Sequence, residues 1–248
     1  MCYTTVAAQF KIIIRVRKEN NMSYNKTKTD PILGKAIHDH LVNAGVETPT
    51  VIHNEMDRKQ KIDEIEHHFA HIMRILGLDL EDDSLNETPK RVAKMYVNEV
   101  FWGLDWEAFP KCTTVENKMQ YDEMVVERNV NVQSNCEHHF VVIDGLATVG
   151  YIPKKKVLGL SKINRIVEYF SKRPQIQERL TEQIYYALQY ILETDNIAVV
   201  IDAKHYCVKS RGVEDTGSST VTSKLGGCFK NEPSVRSEFM NIVNKAQQ

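Results

Sequence analysis

The sequence lacks a long hydrophobic run. No unbroken apolar stretch exceeds five residues, as at 197–201, whereas a membrane-spanning helix needs about 20. That excludes a helical membrane span. Net charge is also scarce: 32 Lys+Arg against 33 Asp+Glu leave −1. Within residues 1–22, Lys11, Arg15, Arg17 and Lys18 stand against Glu19, a local +3 that leaves −4 on the rest. This excludes the broad basic footprint of a nucleic-acid-binding chain, so any anionic ligand must be met by a few placed cations. Cysteine is sparse and odd in number: Cys2, Cys112, Cys136, Cys207 and Cys228, at irregular spacing. That argues against a disulfide framework and for a reducing, cytoplasmic setting in which thiols stay free for metal binding or catalysis. What remains is ordinary: 248 residues, 42% hydrophobic and 26% charged, one or two folded domains without repeats or low complexity.

Residues 1–22 read as an extension outside the core, with Met22 an alternative start. Their cations follow the apolar stretch instead of preceding it, unlike a secretory signal. Gln9 and Lys11 break the apolar face that a membrane-surface helix would need. A helical region is expected over 23–110 and a second unit over 111–248. The first helix runs from about Asp30 to Val46, with Asp30 as N-cap and Pro31 in the first turn; 47–56 reads as a linker. Ile62, Ile65, Phe69, Ile72, Met73 and Leu76 recur at helical spacing up to Gly77. Another helix opens at Thr88-Pro89, with Thr88 as N-cap, and runs towards Gly103.

The period then changes. Met124, Val126, Val130 and Val132 alternate as in a strand. Asp144-Gly145 between apolar runs at 140–143 and 147–151 predicts a tight hairpin turn. A helix capped by Ser161 buries Ile163, Ile166, Val167 and Phe170. The next, from near Pro174, buries Ile176, Leu180, Ile184, Leu188 and Ile191. Strands return at 197–203 and near 218–223, and a last helix carries Val235, Phe239 and Ile242. This order predicts an α+β fold, helices on one face of an antiparallel sheet. The other face is left open, which favours an oligomer.

Four clusters carry chemistry. Cys136 and His139 have a C-x2-H spacing that lets both reach one metal, although two polar loop residues would look the same. His205 and Cys207 share strand parity; alone they read more simply as a packed imidazole beside a buried thiol. Combined, two cysteines and one histidine form a known catalytic-zinc set with a fourth position for water, while a closed structural site would need another ligand. Lys162 and Arg165 sit in a first helical turn, where cations are disfavoured unless an anion is bound. With Ser161 and Gly159 they suggest a phosphate site, and Arg211 could add a guanidinium. Gln177-Glu178 opens a helix, where a carboxylate either favours the dipole or accepts N–H groups from a purine edge. His67 and His71, opposite the apolar stripe, read as solvated.

These motifs in order — Cys136-Glu137-His138-His139, Gly159-Leu160-Ser161-Lys162-Ile163-Asn164-Arg165, Gln175-Ile176-Gln177-Glu178-Arg179-Leu180-Thr181, His205-Tyr206-Cys207 and Arg211-Gly212-Val213 — resemble the GTP cyclohydrolase I family. Thr88-Pro89-Lys90-Arg91-Val92-Ala93 resembles that family's helix before its catalytic domain, and the resemblance spans roughly residues 56–246. It implies the tunnelling fold, an antiparallel sheet with two helices on one face. It also implies homodecamers with active sites between subunits, and conversion of GTP and water to formate and 7,8-dihydroneopterin triphosphate, the entry to pterin and folate synthesis. On matching positions it implies zinc on Cys136, His139 and Cys207, with proton transfer by His205 at the guanine imidazole ring and by His138 near the ribose. Gln177 and Glu178 match guanine-edge contacts. Ser161, also counted with the catalytic groups, joins Lys162, Arg165 and Arg211 around the triphosphate. The competing reading is a non-catalytic zinc protein that binds purine nucleotides; retention of His138 and His205 weighs against it.

Overall fold

The computed structural model describes residues 28–51 and 56–245; the reading of residues 1–22 lies outside them. Helix α1, Pro31–Asn43, starts as expected: Asp30 accepts from the Leu33 N–H, and proline fills the first turn. The segment after it is no free linker. Thr48 is buried, and Glu47 pairs with the buried Arg173, whose guanidinium also donates to the Gly103 carbonyl and the Tyr169 hydroxyl. Helix α2, Arg58–Ile75, opens on a capping box of Asp57 and Gln60 and stops before Gly77 at φ 81°. Only Met73 of its apolar stripe is buried, while Ile72, Ile75 and Leu76 are exposed. Helix α3, Thr88–Met95, continues into one π-turn, Tyr96–Val100. Thr88 is its first residue and Glu87 its N-cap, so the expected threonine cap is not made.

Strand β1, Thr114–Glu116, precedes β2, Val125–Cys136, and β3, Val142–Tyr151. Strand β4, Lys156–Leu158, returns to pair with β1. Helix α4, Leu160–Ser171, begins on Gly159 with no side-chain cap; Ser161 lies inside its first turn and is not the N-cap expected. Strand β5, Pro174–Gln175, runs parallel to Asn135 and Cys136, so helix α5, Gln177–Leu192, starts three residues later than its sequence suggested. Proline suits this short edge because it lacks a donor. Strand β6, Ile197–His205, leads directly into a single helical turn α6, Tyr206–Lys209. Strand β7, Thr220–Leu225, is followed by two short helices, α7, Gly227–Asn231, and α8, Pro233–Lys245.

The main sheet has order β5-β2-β3-β6-β7, antiparallel except for the β5–β2 pair. The molecule is α+β. On one face, Val130, Val132 and Cys136 of β2 and Ile197, Val199 and Ile201 of β6 pack with Ile163, Ile166, Leu180 and Ile184 of α4 and α5. The opposite face is not wholly open: Ala198 and Val200 of β6 pack with Phe229, Phe239 and Val243 from α7 and α8.

Asp144-Gly145 is not a turn. Both residues lie within β3, paired on one side with Gln133 and Val132 and on the other with Lys204 and Ala203. The glycine answers a different need. A Cβ there would come within 2.2 Å of the Asp202 carbonyl oxygen and 2.5 Å of Ala203, so only glycine permits this close strand approach. The β2–β3 turn is at 137–141. Phe140 N–H donates to Cys136 C=O and Cys136 N–H to Val141 C=O, both at 2.8 Å, and Phe140 adopts φ 53°.

Candidate functional site

The registers Asn135↔Val142 and Ile143↔His205 bring the ends of β2 and β6 and the start of β3 to one end of the sheet. Cys136, buried, is the last residue of β2. The turn that follows folds two imidazoles back over it: His138 Nδ1 lies 3.7 Å and His139 Nδ1 4.0 Å from the Cys136 sulfur. Cys207 enters from α6. It is not on the strand, so the parity argument stops at His205; the helical turn is what carries the thiol to the site. The ligand atoms of Cys136, His139 and Cys207 all lie within 4.8 Å of one another.

This donor set suits a borderline-soft metal ion such as zinc. Burial, a hydrogen bond from the Cys207 thiol to Cys136 and that neighbour's charge all push the Cys207 thiol up. Two thiolates so close are disfavoured without a cation to share, and a bound cation reverses that balance.

His205 lies beside this cluster, its Nε2 2.7 Å from Gln177 Oε1. Burial pushes its imidazole down in pKa, opposed by the nearby Glu178 carboxylate. Gln177 is buried, with its amide nitrogen engaged by oxygens of Ile201, Thr220 and Thr222. Glu178 is exposed in the first turn of α5, which has no side-chain cap. Arg211 donates to His139 Nε2 at 2.8 Å. His138 is exposed, with Nε2 3.8 Å from a Glu137 carboxylate oxygen.

Ser161, Lys162 and Arg165 are placed elsewhere. Ser161 and Lys162 lie in the first turn of α4, but Arg165 is its sixth residue, beyond the first turn expected for it; the far end of the helix leads through β5 to Cys136. About 14 Å of helix rise lies between Lys162 and that end and about 9 Å between Arg165 and it, so α4 sets these groups apart from the metal cluster. Lys162 and Arg165 are instead close enough to Cys112 to lower its thiol pKa, although burial dominates and raises that pKa to about 12.

Two features escaped sequence reasoning. Arg179 forms an ion pair with Glu137, and Glu137 N–H donates to Gln175 C=O at 3.0 Å, so β5 and the first turn of α5 each hold the metal-cluster turn. Both residues stood inside the quoted motifs, but nothing local paired them. Tyr96 and Phe101 close on Phe140 behind the same turn, with ring centroids 6.1 and 5.0 Å away. No sequence signal marks that contact. Among the described residues, no helix is long and apolar enough to cross a membrane.

A family model described as GTP cyclohydrolase I matches residues 65–244. The GTP cyclohydrolase 1 of Erwinia tasmaniensis is 59% identical over 208 residues, covering 84% of this chain and 94% of the relative. That of Yersinia enterocolitica is 56% identical over 207 residues, covering 84% and 94%. That of Vibrio vulnificus is 57% identical over 201 residues, covering 81% and 92%.

Proposed function

The chain belongs to the GTP cyclohydrolase I family, and on that premise we propose that it converts GTP and water to formate and 7,8-dihydroneopterin triphosphate, the first step of pterin and folate synthesis, with zinc as cofactor. It is an enzyme, a hydrolase of that family. The observation that carries the finer reading is the convergence of the Cys136, His139 and Cys207 ligand atoms within 4.8 Å, beside a histidine held at the same end of the sheet.

Cys136, His139 and Cys207 would hold the zinc, a donor set of two thiolates and one imidazole that suits it. Zinc bound there supplies the Lewis acidity that brings the pKa of a water to about 7. Glu178 accepts hydrogen bonds from the N–H groups of the guanine edge, and the uncapped first turn of α5, including the Gln177 N–H, donates to the base oxygen. Adenine presents a different edge, and unpaired polar groups would reject it by roughly 10⁴-fold. His205 gives a proton to the imidazole ring of guanine as that ring opens. His138, outside the ligand set, moves a proton at the ribose before the pteridine ring closes. Ser161, Lys162, Arg165 and Arg211 hold the triphosphate, with the Ser161 hydroxyl donating to a phosphate oxygen.

The separation of Lys162 and Arg165 from the metal cluster favours a site completed by a second copy. We read the assembly as a homo-oligomer, a decamer of tunnelling-fold subunits with sites between them. Residues 111–248 form the catalytic unit, and residues 23–110 a helical region before it.

The test is incubation of the purified protein with GTP, with and without added zinc, following formate together with pterin fluorescence after oxidation. Equal amounts of both, dependent on zinc, are expected. Formate alone would overturn the roles given to His138 and the ribose contacts. Neither product, with zinc bound, would favour non-catalytic nucleotide binding.

A further inference from the structure

We infer that the side chain of Gln177 is a positioning group for catalysis: it fixes His205 as the tautomer protonated on Nε2, leaving Nδ1 as the nitrogen that exchanges protons with the substrate. This deepens the proposed function and rests on its reading of His205 as a proton-transfer residue.

The argument is one of hydrogen-bond direction. The Gln177 amide nitrogen lies 3.0 Å from the Ile201 carbonyl, 2.8 Å from the Thr220 carbonyl and 3.1 Å from Thr222 Oγ1. Two of these partners are backbone carbonyls, which only accept. A flipped amide would set Oε1 against both, so the orientation is determined by its surroundings. The threonine follows suit. Thr181 donates its hydroxyl proton to the Gln177 carbonyl at 2.8 Å. Its oxygen therefore receives the proton of Thr222, 2.7 Å away, which leaves the Thr222 oxygen free to accept from Gln177. The two amide hydrogens serve these three acceptors with one of them shared, and no direction in the network conflicts with another.

Gln177 Oε1 is thereby turned to His205 Nε2 at 2.7 Å. An amide oxygen can only accept, so Nε2 must bring the proton. A neutral imidazole has one N–H, so Nδ1 carries the lone pair. The Nε2–H bond to Gln177 survives in both the neutral and the protonated ring, and proton traffic is confined to Nδ1. Residues that bond the far nitrogen of a working imidazole set its tautomer and orientation in this way. Gln177 is buried in the seam between α5, β6 and β7, so its side chain cannot turn to face a base. That leaves base contact at this position to its main chain.

Two measurements test this. In zinc-loaded enzyme labelled with ¹⁵N-histidine, the signals lost in His205→Ala should show a pyrrole-type Nε2 and a pyridine-type Nδ1 at neutral pH. The reverse pattern overturns the inference, and this reading needs no altered Gln177. The second is Gln177→Met, which keeps volume but removes the acceptor. It should lower kcat by roughly 10–100-fold, part of what a positioned acid–base group contributes. KM for GTP and zinc content should stay within about twofold. In a His205→Ala background the same substitution should change the residual kcat less than about twofold, since its partner is already gone. A raised KM at constant kcat would mean a base contact. A full loss repeated in the His205→Ala background would mean damage unrelated to the imidazole. Either overturns the inference. If His205→Ala itself keeps normal turnover, the reading of His205 fails, while the tautomer still stands or falls on the spectrum.

Discussion

Cys207 and Cys136 share a position that neither thiolate holds easily beside the other, and this makes the ligand assignment testable one residue at a time. Serine is nearly isosteric with cysteine but ionises far less readily, so Cys207→Ser should lose zinc on dialysis, by about 10-fold or more in affinity. Full metal occupancy in that variant would reject the assignment. His205→Ala separates binding from chemistry. It should keep its zinc and lose turnover by roughly 10²–10⁴-fold, read as formate release at saturating GTP; near-normal turnover removes its role. The two residues were legible to different depths. Parity along β6 placed His205 on the row of Ile197, Val199 and Ile201, and that row is buried against α5. Cys207 reached the site by another route, because the strand ends at His205 and a helical turn begins. Gln177 was legible as a residue at the start of a helix and, through the resemblance, as a guanine-edge contact, but not as the partner of His205. The partners that hold its side chain lie 24 to 45 residues away in sequence, and no local pattern encodes them.

At the scale of elements, the turn at 137–141 is where local propensity and tertiary demand part. Asp-Gly has strong turn chemistry, yet Asp144-Gly145 is drawn into β3 because two neighbouring strands pair with it and Gly145 allows β6 to approach. Gly145 is a strand residue without a positive φ, so if it had no contact role alanine would stabilise by roughly 0.5–1 kcal/mol. As a contact glycine it should instead cost stability when replaced. Gly145→Ala is expected to destabilise by about 2–3 kcal/mol as β3 and β6 are forced apart, seen as a lower thermal midpoint with β6 amides exchanging faster. A cost under about 1 kcal/mol would contradict the contact role. Glu137 and Arg179 make a comparable argument for the other end of the site. Their side chains are 26% and 16% exposed, so the pair lies between a surface bridge and a buried one. Arg179→Met should cost about 1–2 kcal/mol in stability. It should also weaken zinc binding by roughly 10-fold, as loss of a group supporting metal ligands does. Chelator competition measures the second effect; unchanged affinity would show that the ion pair does not hold the turn. The helices were legible because their apolar spacing is local. Their starts were less so: the segment at 174–175 became β5 because the backbone of Cys136 and Glu137 offered it partners.

For the whole molecule the decisive fact is where the cations are not. Lys162 and Arg165 are the third and sixth residues of α4, with about 14 and 9 Å of helix rise between them and the end that leads to β2. The exposed stripe of α2 and the side of β2 that β5 pairs only at Asn135 and Cys136 leave ample surface for neighbouring copies. If one chain supplies the metal cluster with Arg211 and another supplies Lys162 and Arg165, defects in the two sets must complement. His205→Ala alone and Arg165→Ala alone should each be nearly inactive. When the two chains are co-expressed and purified together through different tags, random pairing leaves roughly a quarter of the sites with both intact sets. Turnover per chain should therefore recover to about a quarter of the unaltered protein, far above either parent. A site built within one chain has no intact copy in that mixture, because every chain carries one defect. Activity no greater than the mean of the two parents would thus place the cations and the metal cluster on the same subunit. It would require α4 to sit differently from its place in this fold. Recovery would place the site between copies and explain why, in a chain of almost no net charge, Lys162 and Arg165 stand apart from the metal cluster that Arg211 adjoins.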